Sequence, residues 1–262
     1  GILMGGYWAY ETLSFGGYWN WDPVENAVYV PWLILVAAIH TMMLYKSKQR
    51  GLGISIILVV SVFLLILYST FLTRSGILGD ASVHSFTDLG LSGQLLVYLL
   101  VFCAGAILLI ALRWKQLPLK ADEIEVYAPE FWVFLGMAAL CLMGFQVLIP
   151  TSFPVINKVL GLAGIQSSLA PPADQIGFYS KLQLWFAVSV AMLSGLAQFF
   201  WWGKIKKGES KKSLISSILI TLLLAVIILN LAKIYRLDFA LLLVAGIFIT
   251  ISSGSVLINL WK

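Results

Sequence analysis

The chain has 262 residues, of which 60% are hydrophobic and 11% charged, with a net charge of +5 and a mean hydropathy of +0.95. Soluble domains run nearer about 45–50% apolar and about 25% charged, so a water-soluble monomer is excluded. The 8 prolines and 22 glycines are ordinary in proportion, which excludes disordered and collagen-like classes and leaves long apolar runs facing lipid.

The expected fold class is all-α, a polytopic transmembrane helical bundle. In chain order, Gly1 to Tyr10 is apolar and aromatic but only about half the ~20 residues that a span needs, and reads as the remainder of a cut helix. Seven complete spans follow, at Ala27 to Tyr45, Ile54 to Thr73, Leu91 to Leu112, Phe131 to Ile149, Leu182 to Trp202, Leu214 to Ala232 and Phe239 to Leu260. Pro150 to Lys181 is the longest connection, contains Pro171 and Pro172, and suits a short surface helix around Val155 to Ala163. Cys103 and Cys141 stand alone in apolar runs and read as packing residues. There is no internal repeat.

Lysine and arginine in short loops stay on the cytoplasmic side. Placing the loop around Trp19 outside puts twelve of the 17 cations inside, in the groups 46–50, 113–120 and 204–212 and at Lys262. Outside remain Arg74, Lys158, Lys181, Lys233 and Arg236. The polar loops Glu11 to Asn26, Arg74 to Gly90 and Pro150 to Lys181 then share the outer face. Cations that flank helices, with no stripe of interleaved aromatics, read as membrane anchors and not as a nucleic-acid surface.

The most unusual segment is Gly16-Gly17-Tyr18-Trp19-Asn20-Trp21-Asp22-Pro23-Val24-Glu25-Asn26-Ala27, followed by Pro31-Trp32. Scattered aromatics at a membrane interface are ordinary. Here glycines that permit positive φ, a stiffening proline and three polar side chains lie directly among the indoles. That pattern suits an aromatic platform with a polar edge, able to take a large flat apolar ligand with anionic side groups. Tyr7, Trp8 and Tyr10 would enter the same region. A second reading of the acids stays open, in which Asp22 is the N-cap of a helix and Glu25 its third residue.

The run GGYWNWDPVENAVYVPWL resembles the tryptophan-rich WWD motif of the haem-handling superfamily. Its DPVENA core, with the later Arg74-Ser75-Gly76-Ile77-Leu78 and Ser82-Val83-His84-Ser85-Phe86, is similar to the CcmF branch, the cytochrome c haem lyase component. The resemblance covers residues 1–117, taken as the WWD haem-handling part, with an outer aromatic loop at 14–32 and an outer loop at 74–90. Residues 118–262 carry the further helices and the outer loop 150–181, without a motif of equal specificity. The family usually has an aromatic where this chain has Asn20, and two extra residues stand around Gly79 and Asp80.

The resemblance implies that haem rests on Tyr18, Trp19 and Trp21 near Asp22, Glu25, Asn26 and Trp32. Arg74, at the outer end of its helix, suits either a bidentate pair with a propionate or anchoring at the membrane interface. Only two histidines exist. His40 lies ten residues past Val30, ~15 Å into its span at ~1.5 Å per residue. An ionisable group at that depth is a functional candidate, the competing reading being a neutral histidine bonded to a neighbouring helix. By resemblance, His40 is an axial ligand of a membrane haem b that keeps the outer iron reduced, and His84 is an axial ligand of an outer haem. Two bis-histidine sites need four imidazoles, so their partners would lie outside these residues.

The implied function is haem binding and delivery in c-type cytochrome biogenesis, as a haem lyase component, presenting haem on the outer face for attachment to a CxxCH apocytochrome. Apocytochrome c, other cytochrome c maturation membrane proteins, a haem chaperone and quinol are the expected partners. The bacterial inner membrane is the expected location, with the WWD loop on the periplasmic side. Three rivals stay open: a b-type haem quinol-oxidising electron-transfer protein, a transporter or structural bundle with an aromatic belt, and the CcsA branch of the same superfamily, against which DPVENA and RSGIL argue. No metalloprotease motif, phosphate-binding loop or Ser-His-Asp order is present.

Overall fold

The computed structural model describes residues 1–12, 17–79, 81–82, 85, 90–117, 128–201 and 207–261. The elements are α1 (Ile2–Thr12), α2 (Pro23–Lys48), α3 (Leu52–Arg74), α4 (Ser92–Arg113) with a 3-10 turn at Trp114–Gln116, α5 (Pro129–Thr151), α6 (Phe153–Leu162), α7 (Gln175–Trp201), α8 (Lys207–Leu231) and α9 (Leu237–Trp261). Among the described residues, seven helices are long and apolar enough to cross a membrane. They coincide with the seven expected spans, and α6 falls where a short helix is expected in the 150–181 connection. A helix pairs its own backbone groups, which hydrocarbon demands of any span. Much of the apolar surface remains uncovered: on α4, Val97, Val101, Leu108 and Leu112 are all more than half exposed, which only a lipid or protein surround can satisfy.

Three helices start well ahead of their apolar runs, among them α8, which begins at Lys207, seven residues ahead of Leu214. α2 begins at Pro23, so the expected aromatic loop 14–32 is helical from that residue onward. α7 begins at Gln175, seven residues ahead of Leu182, through a polar turn.

The chain forms two compact units, Gly1–Leu119 with Leu140–Ser180, and Lys120–Ala139 with Lys181–Lys262. In the first, α2 packs chiefly on α3. One buried cluster joins Ala27, Leu72 and Leu78, flanked by Tyr68 and Val155. Another joins Val30, Val147 and Tyr179, flanked by Trp21, Tyr29 and Leu65. α5 packs on α2 at Gly144, where a β-carbon would make an ordinary van der Waals contact, 3.5 Å, with Ile34 Cδ1. The Tyr68 hydroxyl donates to Ser152 Oγ at 2.8 Å, tying α3 to the α5–α6 corner.

In the second unit, α8 packs on α9. Ser213, Ser217, Thr221 and Ala225, at four-residue steps on α8, are buried, as are Ala245, Phe248, Ser252 and Val256 on α9. Small side chains allow the close backbone approach on which helix association in lipid depends. Asn259 Nδ2 donates to Ser213 Oγ at 2.9 Å, and Gln198 Nε2 of α7 donates to Ser253 Oγ at 2.9 Å.

Gly195 on α7 is closed to any side chain: a β-carbon would lie 2.6 Å from Phe248 Cε1, and Phe248 is only 3% exposed. Gly195→Ala is expected to destabilise the protein by ~1–3 kcal/mol through overpacking. Gly105→Ala on α4, with nothing within 4 Å of the new carbon, should be neutral or stabilising by up to ~1 kcal/mol. Unfolding midpoints of the two variants in one detergent measure the contrast.

Candidate functional site

The site is built outward from the first turn of α2. Asp22 is extended (φ −60°, ψ 143°) and its carboxylate accepts from the N–H of Val24 at 2.9 Å, while Pro23 occupies a position where a missing N–H costs nothing. Glu25 reaches back, its Oε2 accepting from the N–H of Asn20 at 2.8 Å and that of Asp22 at 3.4 Å. This is a capping box, so both acids carry the helix-start role that the sequence left open. Asn26 is completely buried and donates through Nδ2 to the Trp21 carbonyl at 2.9 Å.

These polar groups hold a strained residue. Trp21 has φ +56°, in the left-handed region that costs a residue with a β-carbon roughly 1–2 kcal/mol. The conformation is fixed from three directions: its carbonyl receives Asn26, its Nε1–H donates to Ser180 Oγ at 3.1 Å, and its ring stacks on Tyr179 with centroids 5.3 Å apart and planes 25° from parallel. Backbone strain that is over-determined in this way clusters at ligand clamps and active sites.

Around Trp21 the rings interlock. Trp19 meets Trp21 edge-on at 5.8 Å and 90°, and Tyr29 at 5.6 Å and 61°. Tyr29 meets Trp21 at 5.6 Å and 86° and stacks on Trp32 at 5.8 Å. Tyr18 stacks on Tyr10 of α1 at 4.3 Å with planes 9° apart. Gly6 permits that approach, since a β-carbon there would come within 3.0 Å of the Tyr18 carbonyl oxygen. The expected flat platform is therefore a herringbone. Ring quadrupoles favour edge-to-face contact, and with Trp19 and Trp21 perpendicular no planar ligand lies flat on both. Tyr18 and Trp32 keep about half their surface open, at 53% and 46%.

A second segment is fastened to this one. Ser82 Oγ donates to Asp22 Oδ1 at 2.6 Å, and Leu78 is fully buried against Ala27 and Leu72. The stretch after α3 is thus pinned at two points to the start of α2. Arg74, the last residue of α3, is exposed beside this region. His84 follows Ser82 by two residues in the sequence and lies outside the described residues.

His40 lies on α2 eight residues past Trp32, ~12 Å along the axis at ~1.5 Å per residue. Its side chain is exposed, and Nδ1 lies 2.7 Å from the Val36 carbonyl oxygen. A carbonyl only accepts, so Nδ1 carries the proton and Nε2 presents its lone pair, the tautomer suited to a metal ligand. Trp32, Ile39 and Met43 share the same open side of the helix.

The residues fit a porphyrin. Two polar atoms in the cluster are buried with no hydrogen-bond partner among the described residues, the Trp19 Nε1–H donor and the Asn26 Oδ1 acceptor. Open ring faces adjoin them, and a free imidazole nitrogen stands further along the same helix. Such a set matches a large aromatic ring with a charged edge and an iron that takes axial nitrogen ligands.

The family described as Cytochrome C assembly protein matches residues 1–78. The cytochrome c-type biogenesis protein CcmF of Escherichia coli (strain K12) is 31% identical over 229 residues, covering 87% of this chain and 34% of that protein. The cytochrome c-type biogenesis protein CycK of Rhizobium meliloti (strain 1021) is 43% identical over 182 residues, 68% of this chain and 26% of that one. A solved structure of "Cytochrome c Heme Lyase CcmF" aligns with a TM-score of 0.63 at 22% identity, over 94% of this chain and 35% of the other, and shows the shared fold. The chain is a CcmF-type protein. It spans about a third of the length of the curated relatives that it matches.

In this CcmF-type chain, four site residues lie outside the sequence expectations: Tyr29, Ser82, Tyr179 and Ser180. Tyr29 was legible as the residue three before Trp32 on one helix face. Ser82 belongs to a quoted motif, but its bond to Asp22 joins positions 60 apart. Tyr179 and Ser180 come from the polar first turn of α7.

Asp22 serves both the cap and the Ser82 contact. Asp22→Ala is expected to lower stability by about 1–3 kcal/mol, and Asp22→Asn, which keeps an accepting oxygen, by much less. Chemical unfolding followed by tryptophan fluorescence measures the difference.

Proposed function

We propose that this chain carries the haem-presenting part of a cytochrome c haem lyase component, acting in c-type cytochrome biogenesis on the outer side of a bacterial inner membrane. The supporting observation is the Ser82–Asp22 hydrogen bond, which ties the strained indole segment to the stretch that leads into His84. A stacking surface and an axial ligand drawn from separate parts of the chain are what holding a haem edge-on requires.

The chain's work is positioning. The open faces of Tyr18 and Trp32 would pack on the ring, and His84 would bind the outer iron. Arg74, at the end of α3, would pair with a propionate. Asp22, Glu25 and Asn26 hold the indoles in place through the backbone. Haem bound there would supply the vinyl groups to which the two thiols of a CxxCH apocytochrome add. His40, through Nε2, would ligate a membrane haem b, with the second ligand of each haem coming from sequence outside this chain. Other cytochrome c maturation membrane proteins, a haem chaperone and quinol are the further partners of this reading.

Absorption spectra of the protein at the length of its relatives, wild type beside His40→Ala and His84→Ala, test it. His40→Ala should lose the b-type spectrum of the membrane haem. His84→Ala should keep that spectrum while the yield of mature c-type cytochrome falls at least about tenfold. A colourless wild type, together with normal cytochromes c in cells lacking the gene, would overturn the reading.

A further inference from the structure

On the first unit, a cleft of about 670 Å³ opens beside the aromatic cluster and belongs to no part of it. It is lined by Ile77 and Ala81 from the stretch after α3, Pro154 and Lys158 of α6, and Leu169 and Pro171 from the connection that follows. The volume falls within the ~300–1,000 Å³ of ligand sites.

The backbone around Leu169 is held in place. Asn157 of α6 acts as its partner: Oδ1 accepts from the Leu169 N–H at 3.1 Å and from Ser167 Oγ at 2.8 Å, and Nδ2 donates to the Leu169 carbonyl at 2.7 Å. Beyond Leu169, Pro171 and Pro172 have no N–H to give. The carbonyls of Ala170, Pro171 and Pro172 accept no hydrogen bond among the described residues. These residues therefore offer acceptors and ask for donors. Lys158, which also lines the cleft, is exposed with no carboxylate partner among the described residues and offers a donor. No lining residue among the described ones is aromatic, so they give a porphyrin nothing on which to stack.

Consecutive backbone acceptors without internal donors, an exposed ammonium and small apolar side chains match an extended polypeptide, whose amides donate and whose carbonyls accept. Position fixes which polypeptide. Ala81 lines the cleft and the next residue, Ser82, is bonded to Asp22 of the aromatic site, so one strand of chain separates the two. We propose that the cleft binds the apocytochrome polypeptide as an extended stretch beside its cysteine pair, holding the thiols at the edge of the aromatic site. This rests on the haem-presenting reading.

The test uses the protein at the length of its relatives in detergent, with a fluorescent synthetic peptide spanning a CxxCH segment as probe. Anisotropy gives Kd, and the absorption spectrum reports haem separately. Ala81→Trp, which fills the cleft, and Lys158→Glu, an exposed change that leaves packing intact, should each weaken peptide binding about tenfold with the haem spectrum unchanged. Peptide affinity within about twofold of wild type in Lys158→Glu overturns the proposal, whatever Ala81→Trp does to the fold. If wild type carries no haem yet binds peptide through the cleft, the haem-presenting reading falls and the cleft assignment stands.

Discussion

The Asp22 carboxylate accepts from the Val24 N–H inside its own turn and from Ser82 Oγ, across 60 positions of sequence. The first bond decides where α2 begins, and so how the preceding indoles meet the helix. The second decides where the chain leaving α3 passes over them. Removing the carboxylate would leave helix donors and a buried serine hydroxyl without a partner at once, which is why its cost exceeds that of an ordinary cap. Glu25 and Asn26 extend the same logic. Polar side chains set among indoles would be a liability in a membrane protein, and here Glu25 and the Asn26 Nδ2 bond the backbone of the segment that precedes the helix, while Asn26 Oδ1 has no partner among the described residues.

That arrangement supports an unfavourable conformation at Trp21. A bulky residue at φ +56° persists because stacking on Tyr179, the bond to Ser180 and the contact from Asn26 together outweigh a strain of ~1–2 kcal/mol. Turning Trp21 inward also turns Trp19 perpendicular to it, and moves the open aromatic surface to Tyr18 and Trp32. The tryptophans of the motif are thus divided between holding and facing. Trp21 is the keystone of the packing, Trp32 an open face, and Trp19 an edge whose donor has no partner among the described residues.

The spans were legible because an uninterrupted apolar run of membrane length is stable in few settings besides a bilayer. The start of α2 was legible because Asp-Pro-Val-Glu spells a capping box in four letters. The early start of α7 was not. Residues 175–181 include Gln175, Tyr179, Ser180 and Lys181, a composition that reads as loop, and their helicity comes from packing Tyr179 against Val30 and Val147. Ring planes were also beyond the sequence. Composition places indoles together, but edge-to-face contact depends on χ angles that neighbours decide. Nor does the motif-based division at residue 117 foresee that Leu140–Ser180 packs with the first unit, because contacts between positions more than 100 apart leave no local pattern.

Under the proposed reading the two histidines serve different haems. His40 is on the continuous helix α2, its Nδ1 proton committed to the Val36 carbonyl, so ring orientation and tautomer are both set before any metal arrives. A ligand fixed in that way favours a cofactor that stays. In the sequence, His84 stands between Arg74, the last residue of α3, and Ser92, the first of α4. Ser82 and Leu78 then matter as the fixed points that hold the stretch after α3 to the start of α2, beside the indoles.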